Sequence, residues 1–196
     1  MFKQIKILIL VFFVSTSIFS QTDEELGLHS EGGPWKFYAS AVQNNSLPRV
    51  LLIGDFVMNG FHSSLIQSLE GIAIVDYWLT PKHLKSEHLL ADLLKVVSSH
   101  NYKVIQFNIG LHGWSNGRIL EHEYAPLLKS YVRTIQENVR NSKLIWPSTT
   151  PITEEGIATL NKEFNPVISH RNDLALELMK ANKIPVNDCM YWSRTS

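Results

Sequence analysis

The sequence predicts an α/β domain in which a parallel sheet of five strands lies between layers of helix. Five short runs, RVLLI, IAIVDYW, KVIQFN, KLIWPSTTP and IPVND, have strand length and are rich in apolar and β-branched residues. Stretches with apolar residues at three-four spacing separate them, which is helical periodicity. The runs are apolar continuously rather than alternately, as strands covered on both faces are. Right-handed crossovers then leave few topologies, and the one expected is a flavodoxin-like three-layer α/β/α sandwich of strand order 2-1-3-4-5.

The first twenty residues stand apart. Lys3 and Lys6 precede the apolar stretch ILILVFFVSTSIF and then Ser20-Gln21, the layout of a secretory signal peptide cleaved after Ser20. The run is short against the roughly 20 residues of a membrane-spanning helix. The expected protein is therefore exported, periplasmic or extracellular, with no stable membrane anchor after cleavage. Residues 21–47 are polar and rich in turn formers. They read as an extended lead-in that packs Trp35, Phe37 and Tyr38 onto the domain spanning 48–196.

From residue 48 the pattern is regular. RVLLI is the first strand, and a helix is expected from about Gly60 to Glu70. IAIVDYW is the second strand. Leu89, Leu90, Leu93, Leu94 and Val97 mark the next helix. KVIQFN is the third strand, and Tyr124, Leu127, Leu128, Tyr131, Val132, Ile135 and Val139 mark the clearest helix in the chain. KLIWPSTTP is a fourth strand closed by Pro151. A helix from about Pro166 to Ala181 leads to IPVND, the short fifth.

Composition narrows the function classes. The chain of 196 residues carries 18 basic and 18 acidic side chains and shows no long basic stripe, so no nucleic-acid partner is expected. The single cysteine, Cys189, has no partner for an internal disulfide, so the fold must rest on its core; it reads as an incidental residue of the tail. The histidines show no Glu-flanked or i,i+4 pairing, so neither metal nor cofactor is predicted.

In the expected topology ligands bind beyond the carboxyl ends of the strands, near the switch between the first and third. The first such turn is GDFVMNG, where Asp55 can cap a helix whose free amides face a ligand, with Asn59 one turn on. The third is FNIGLHGWSNG, which crowds Asn108, Gly110, His112, Trp114 and Asn116 at the end of a buried strand. Gly110 permits close backbone approach to a ligand. His112 can donate to a developing oxyanion. Ser148, Thr149 and Thr150 in the fourth turn are expected to serve the turn itself, the alternative being that they line a polar cleft. In SHRND, Ser169 to Asp173, solvated residues and one side chain packed against a loop are expected.

Together these stretches resemble the SGNH, or GDSL, hydrolase superfamily of esterases and lipases. LLIGDFVMNGF is similar to the block whose Gly-Asp-Ser carries the nucleophile. VIQFNIGLHGW is similar to a later block, in a subgroup of exported bacterial proteins reading Phe-Asn-x-Gly-Leu-His-Asp. LIWPSTTPI and the helix bearing Asn172 match that subgroup too, so the resemblance spans Arg49 to about Asp188. It implies that Gly110 and His112 lie in the oxyanion-hole segment, and that Asn108 fixes the loop. It also exposes departures. Phe56 occupies the serine position, the glycine of the second block is not evident around VDYWLTPKH, and no Asp-x-x-His follows before the chain stops at NDCMYWSRTS. That ending is expected to be a premature stop, a frameshift or a fragment boundary, the alternative being a naturally short homologue.

The expected function follows from these departures. Without serine, base and acid the acyl-enzyme route is closed, and neither Ser63 nor Ser115 shows a base partner. The chain is expected to be of esterase ancestry, its partner a small ester or acetylated saccharide, with hydrolysis impaired or lost. The alternative is a non-catalytic binding protein that keeps the cleft and uses Phe56, Trp114 and Trp78 as its walls.

Overall fold

The computed structural model describes residues 22–42, 46–110, 112 and 118–189. The signal peptide expected over the first twenty residues lies outside them. The sheet has six strands, mostly parallel: β1 (Phe37–Tyr38), β2 (Arg49–Gly54), β3 (Ile74–Leu79), β4 (Val104–Phe107), β5 (Lys143–Pro147) and β6 (Val186–Asn187), in the order β1-β3-β2-β4-β5-β6. The five parallel strands keep the expected 2-1-3-4-5 order. The sixth, β1, is supplied by the lead-in and pairs antiparallel with β3, Phe37 opposite Trp78. The lead-in is thus not simply extended: it makes a one-turn helix, α1 (Asp23–Leu26), and then an edge strand. Phe37 is buried, while Trp35 and Tyr38 pack half-buried against a second apolar cluster around Tyr77 and Met58.

Four longer helices connect the strands: α2 (Phe56–Ser68), α3 (Leu89–Ser98), α4 (Glu121–Asn138) and α5 (Asn165–Ala181). Helices α3, α4 and α5 cover one face of the sheet, where Leu51, Ile53, Ile105, Phe107, Leu144 and Trp146 meet Leu93, Tyr131, Ile135 and Met179 in the main core. On α3 the inward face is Leu89, Leu93, Val96 and Val97, and Leu90 and Leu94 point out. Positions 90 and 94 lie about 100° round the helix from 89 and 93, so only one of the two leucine rows can face the sheet.

Among the described residues α2 is the one helix on the opposite face, packed on Val50, Leu52 and Val75. The cover is therefore uneven. All six residues of β3 are buried, but β4 and β5 alternate, with Gln106 and Ile145 half-buried and Lys143 exposed on the α2 side. Helix α2 begins four residues before the expected start, because Asp55 accepts a hydrogen bond from Val57 N at 3.1 Å and caps the helix directly at the end of β2. Gly54 makes this abrupt turn possible, since a Cβ there would stand 2.7 Å from Met58 Cβ. Among the described residues no helix is long and apolar enough to cross a membrane.

Candidate functional site

The carboxyl ends of β2, β4 and β5 meet around a small cavity of about 50 Å³. Asp55, Met58 and Phe61 line one side, Asn108 the floor, and Ser148, Thr149 and Cys189 the other. Local sequence explains each position. Asp55 is held buried by its capping role. Asn108 is the first residue past β4, where its amide crosses to the next strand: Nδ2 donates to Pro147 O at 2.5 Å and to Thr149 Oγ1 at 3.3 Å, and Oδ1 accepts from Gly110 N at 2.6 Å. Asn172, from α5, brackets the same loop. Its Oδ1 accepts from Thr149 N and its Nδ2 donates to Thr149 O, both at 2.9 Å. One side-chain amide thereby satisfies both backbone groups of a buried residue, as a strand neighbour would.

These contacts revise two expectations. The close approach that Gly110 permits is to Thr149 of the same chain, whose Oγ1 would lie 1.9 Å from a Cβ at position 110. Its amide donates to Asn108 Oδ1. His112 does not line the cavity: its ring meets Trp35 edge-on, with centroids 5.6 Å apart. Burial, and then the charge of Arg118, hold the neighbouring His83 pKa below the ordinary histidine value. Nε2 of His112 is buried without a hydrogen-bond partner. Trp114 and Asn116 lie outside the described residues.

Phe56 is the first residue of α2 and is 63% exposed, at the mouth of the same turn. The first-turn amides of Phe56 and Met58 have no helical acceptor, so the positive end of the helix dipole opens beside the ring. Asn59 is half-buried on the next turn, where its carbonyl accepts from His62 Nδ1 at 3.0 Å. Trp78, expected as a cleft wall, is buried in the core on β3 and does not line this cavity. Cys189, read as incidental, faces the cavity instead, and burial with the charge of Asp188 raises its thiol pKa and keeps it protonated. Ser63 does have a histidine neighbour, His62 Nε2 at 3.5 Å. That contact is long and solvent-exposed, and the mid-helix backbone around it offers no free N–H to stabilise an oxyanion. Among the described residues no group of three or more His, Cys, Asp or Glu side chains is placed to hold a metal ion.

Arg171 and Asn172 are both buried, where only one packed side chain was expected in SHRND. Nothing in the local pattern announces this. The backbone partners that draw them in, Ile119 O for Arg171 and both the N–H and C=O of Thr149 for Asn172, lie 52 and 23 residues away.

No family model and no curated protein matches the chain. Solved structures do. A GDSL-like lipase from Bacteroides thetaiotaomicron superposes with a TM-score of 0.56 at 17% identity, over 74% of this chain and 70% of that one. The acetyl xylan esterase AlAXEase superposes with a TM-score of 0.59 at 15% identity, over 74% and 79%. An active-site mutant of a family two carbohydrate esterase from Clostridium thermocellum gives 0.54 at 9%, over 77% and 56%. The fold is that of the SGNH, or GDSL, hydrolases. At these identities the likeness carries the fold and leaves the chemistry to the residues present. The turn from β2 into α2 lines the cavity through Asp55, Val57 and Met58, and the exposed ring of Phe56, expected as a wall, stands outside that lining.

Proposed function

We propose that this chain is a ligand-binding protein of ester-hydrolase ancestry that holds a small ester or acetylated saccharide without forming an acyl-enzyme. One observation carries the reading: an aromatic ring, 63% exposed, stands at the helix N-terminus where the resemblance calls for serine. An exposed ring beside free backbone amides suits a ligand with an apolar or sugar face and a carbonyl oxygen. It supplies no nucleophile. Around it, Asp55 is held as a helix cap and the Gly110 amide as a loop fastener, so neither group is set for proton transfer or oxyanion capture. We also propose export to the periplasm or beyond, which predicts a native protein whose first residue is Gln21.

Calorimetric titration with acetylated xylo-oligosaccharides, run beside a 4-nitrophenyl acetate assay, tests the reading. Saturable binding without turnover is expected, weakened about fivefold or more by Phe56→Ala, the loss of one stacked aromatic contact. Absence of binding, or ester turnover that falls with His112→Ala, would overturn it.

A further inference from the structure

A second cleft, of about 460 Å³, opens between the start of α4 and the first half of α5 and shares no lining residue with the cavity at Asp55. Its walls are apolar: Leu120, Pro166, Val167 and Leu174, with Leu120 49% and Val167 39% exposed. At its base lies Arg171, only 7% exposed. The guanidinium makes one hydrogen bond, from Nη2 to Ile119 O at 2.9 Å, and sits over the Tyr124 ring, 5.1 Å from its centroid. Nη1 is buried and has no partner. Among the described residues no carboxylate lies within ion-pair distance of it. The rim carries one pair, His170 Nε2 to Glu121 Oε1 at 3.0 Å, in which Glu121 is 79% exposed.

A buried cation without a counter-ion is costly, and proteins rarely leave one so. A guanidinium with a spare N–H, at the base of an apolar cleft, is complementary to an anion with a hydrocarbon tail. We propose that this cleft binds a small aliphatic monocarboxylate, its carboxylate on Arg171 and its chain along Leu120, Val167 and Leu174. His170 adds a second donor once the anion displaces Glu121 from it.

The probe is hexanoate, titrated into the mature protein by calorimetry and by the shift of its melting temperature, with acetate and sulfate as comparisons. Saturable binding of hexanoate is expected, at least about tenfold tighter than acetate, since each added methylene contributes to burial. Arg171→Met should abolish binding while leaving the melting temperature equal or higher, because an isolated buried charge is replaced by an apolar chain. An arginine that serves only structure would give the opposite, a lower melting temperature and no hexanoate response in either protein. Val167→Glu gives an independent check at an exposed position: it should fold normally and lose binding through charge repulsion. Glu121→Gln should tighten binding severalfold by removing the competing carboxylate. Sulfate binding as tightly as hexanoate, no binding by the wild type, or binding unchanged in Arg171→Met or Val167→Glu overturns the proposal.

Discussion

Asp76 and Arg171 are both charged and both buried, yet they stand in opposite conditions. Asp76, in the middle of β3, is fully enclosed and receives Arg49 Nε at 2.7 Å, Arg49 Nη2 at 3.0 Å, Ser40 N at 2.9 Å and the Tyr102 hydroxyl at 2.9 Å. Every lone-pair direction of its carboxylate is occupied, and the donors come from the lead-in, β2 and the turn before β4. Burial and the Asp76 charge together push the Tyr102 phenol far above its ordinary pKa, so it remains a donor at any working pH. Arg171 has one carbonyl and a ring face. The difference separates two uses of buried polarity: Asp76 ties three segments into the fold, and Arg171 is left with capacity that the chain itself does not use.

The sharpest test of that contrast is a pair of substitutions. Asp76→Ala strands the Arg49 guanidinium and should cost about 3–5 kcal/mol, the range for breaking a buried, hydrogen-bonded pair from one side. Arg171→Met should cost nothing or stabilise. Urea midpoints measure both, and equal losses would erase the distinction. Asn172→Ala comes next. It leaves the Thr149 N–H and C=O buried without partners and should cost about 2–3 kcal/mol, two lost bonds with unsatisfied groups behind them. A loss below about 1 kcal/mol would show that water takes over the bracket.

The pH dependence is a smaller effect with a defined sign. Burial, then Arg49, hold His100 below the ordinary histidine value despite Asp76, and His83 is lowered mainly by burial. Below about pH 6.5 the unfolded chain takes up protons that these two native histidines resist, so stability must fall on acidification from neutral pH. A second decline should follow at more acidic pH through Asp92. Burial raises the pKa of its carboxyl, but hydrogen bonds from His29 and Lys82 outweigh that and hold it below the usual carboxylate value. Its contribution is present above that usual value and is lost as pH falls through the depressed one. His100→Gln should flatten the first decline in a series of urea midpoints across pH; an unaltered slope would assign it elsewhere.

What was legible in the sequence follows from where the information resides. Strand order was readable because each parallel strand is a local apolar run and crossovers have one hand. β1 was missed as a strand because two residues show no periodicity, and its place comes from Trp78 and Tyr77 across the sheet. The true start of α2 had a signal in Asp55, which read as a cap even though the apolar pattern placed the helix only from Gly60. The polar residues of the site were legible as types and not as partners. Asn108, Thr149 and Asn172 interlock across up to 41 residues of chain, and Gly110 is small to make room for Thr149. Trp78 misled for the same reason: an aromatic at a strand end looks like a cleft wall until the lead-in is found lying over it.

The smallest expected change bears most directly on function. Phe56 is exposed, so Phe56→Ser should alter stability by no more than about 0.5 kcal/mol. Its hydroxyl would stand at the start of α2 with Asp55 committed to the cap and no histidine among the residues lining the cavity. A serine without a base remains a weak nucleophile. Ester turnover should therefore stay at the uncatalysed background while binding of an aromatic-stacking ligand weakens. If the one substitution instead restored hydrolysis, the scaffold would have to supply a base in reach of position 56, and Phe56 would be the single lesion of an otherwise intact esterase.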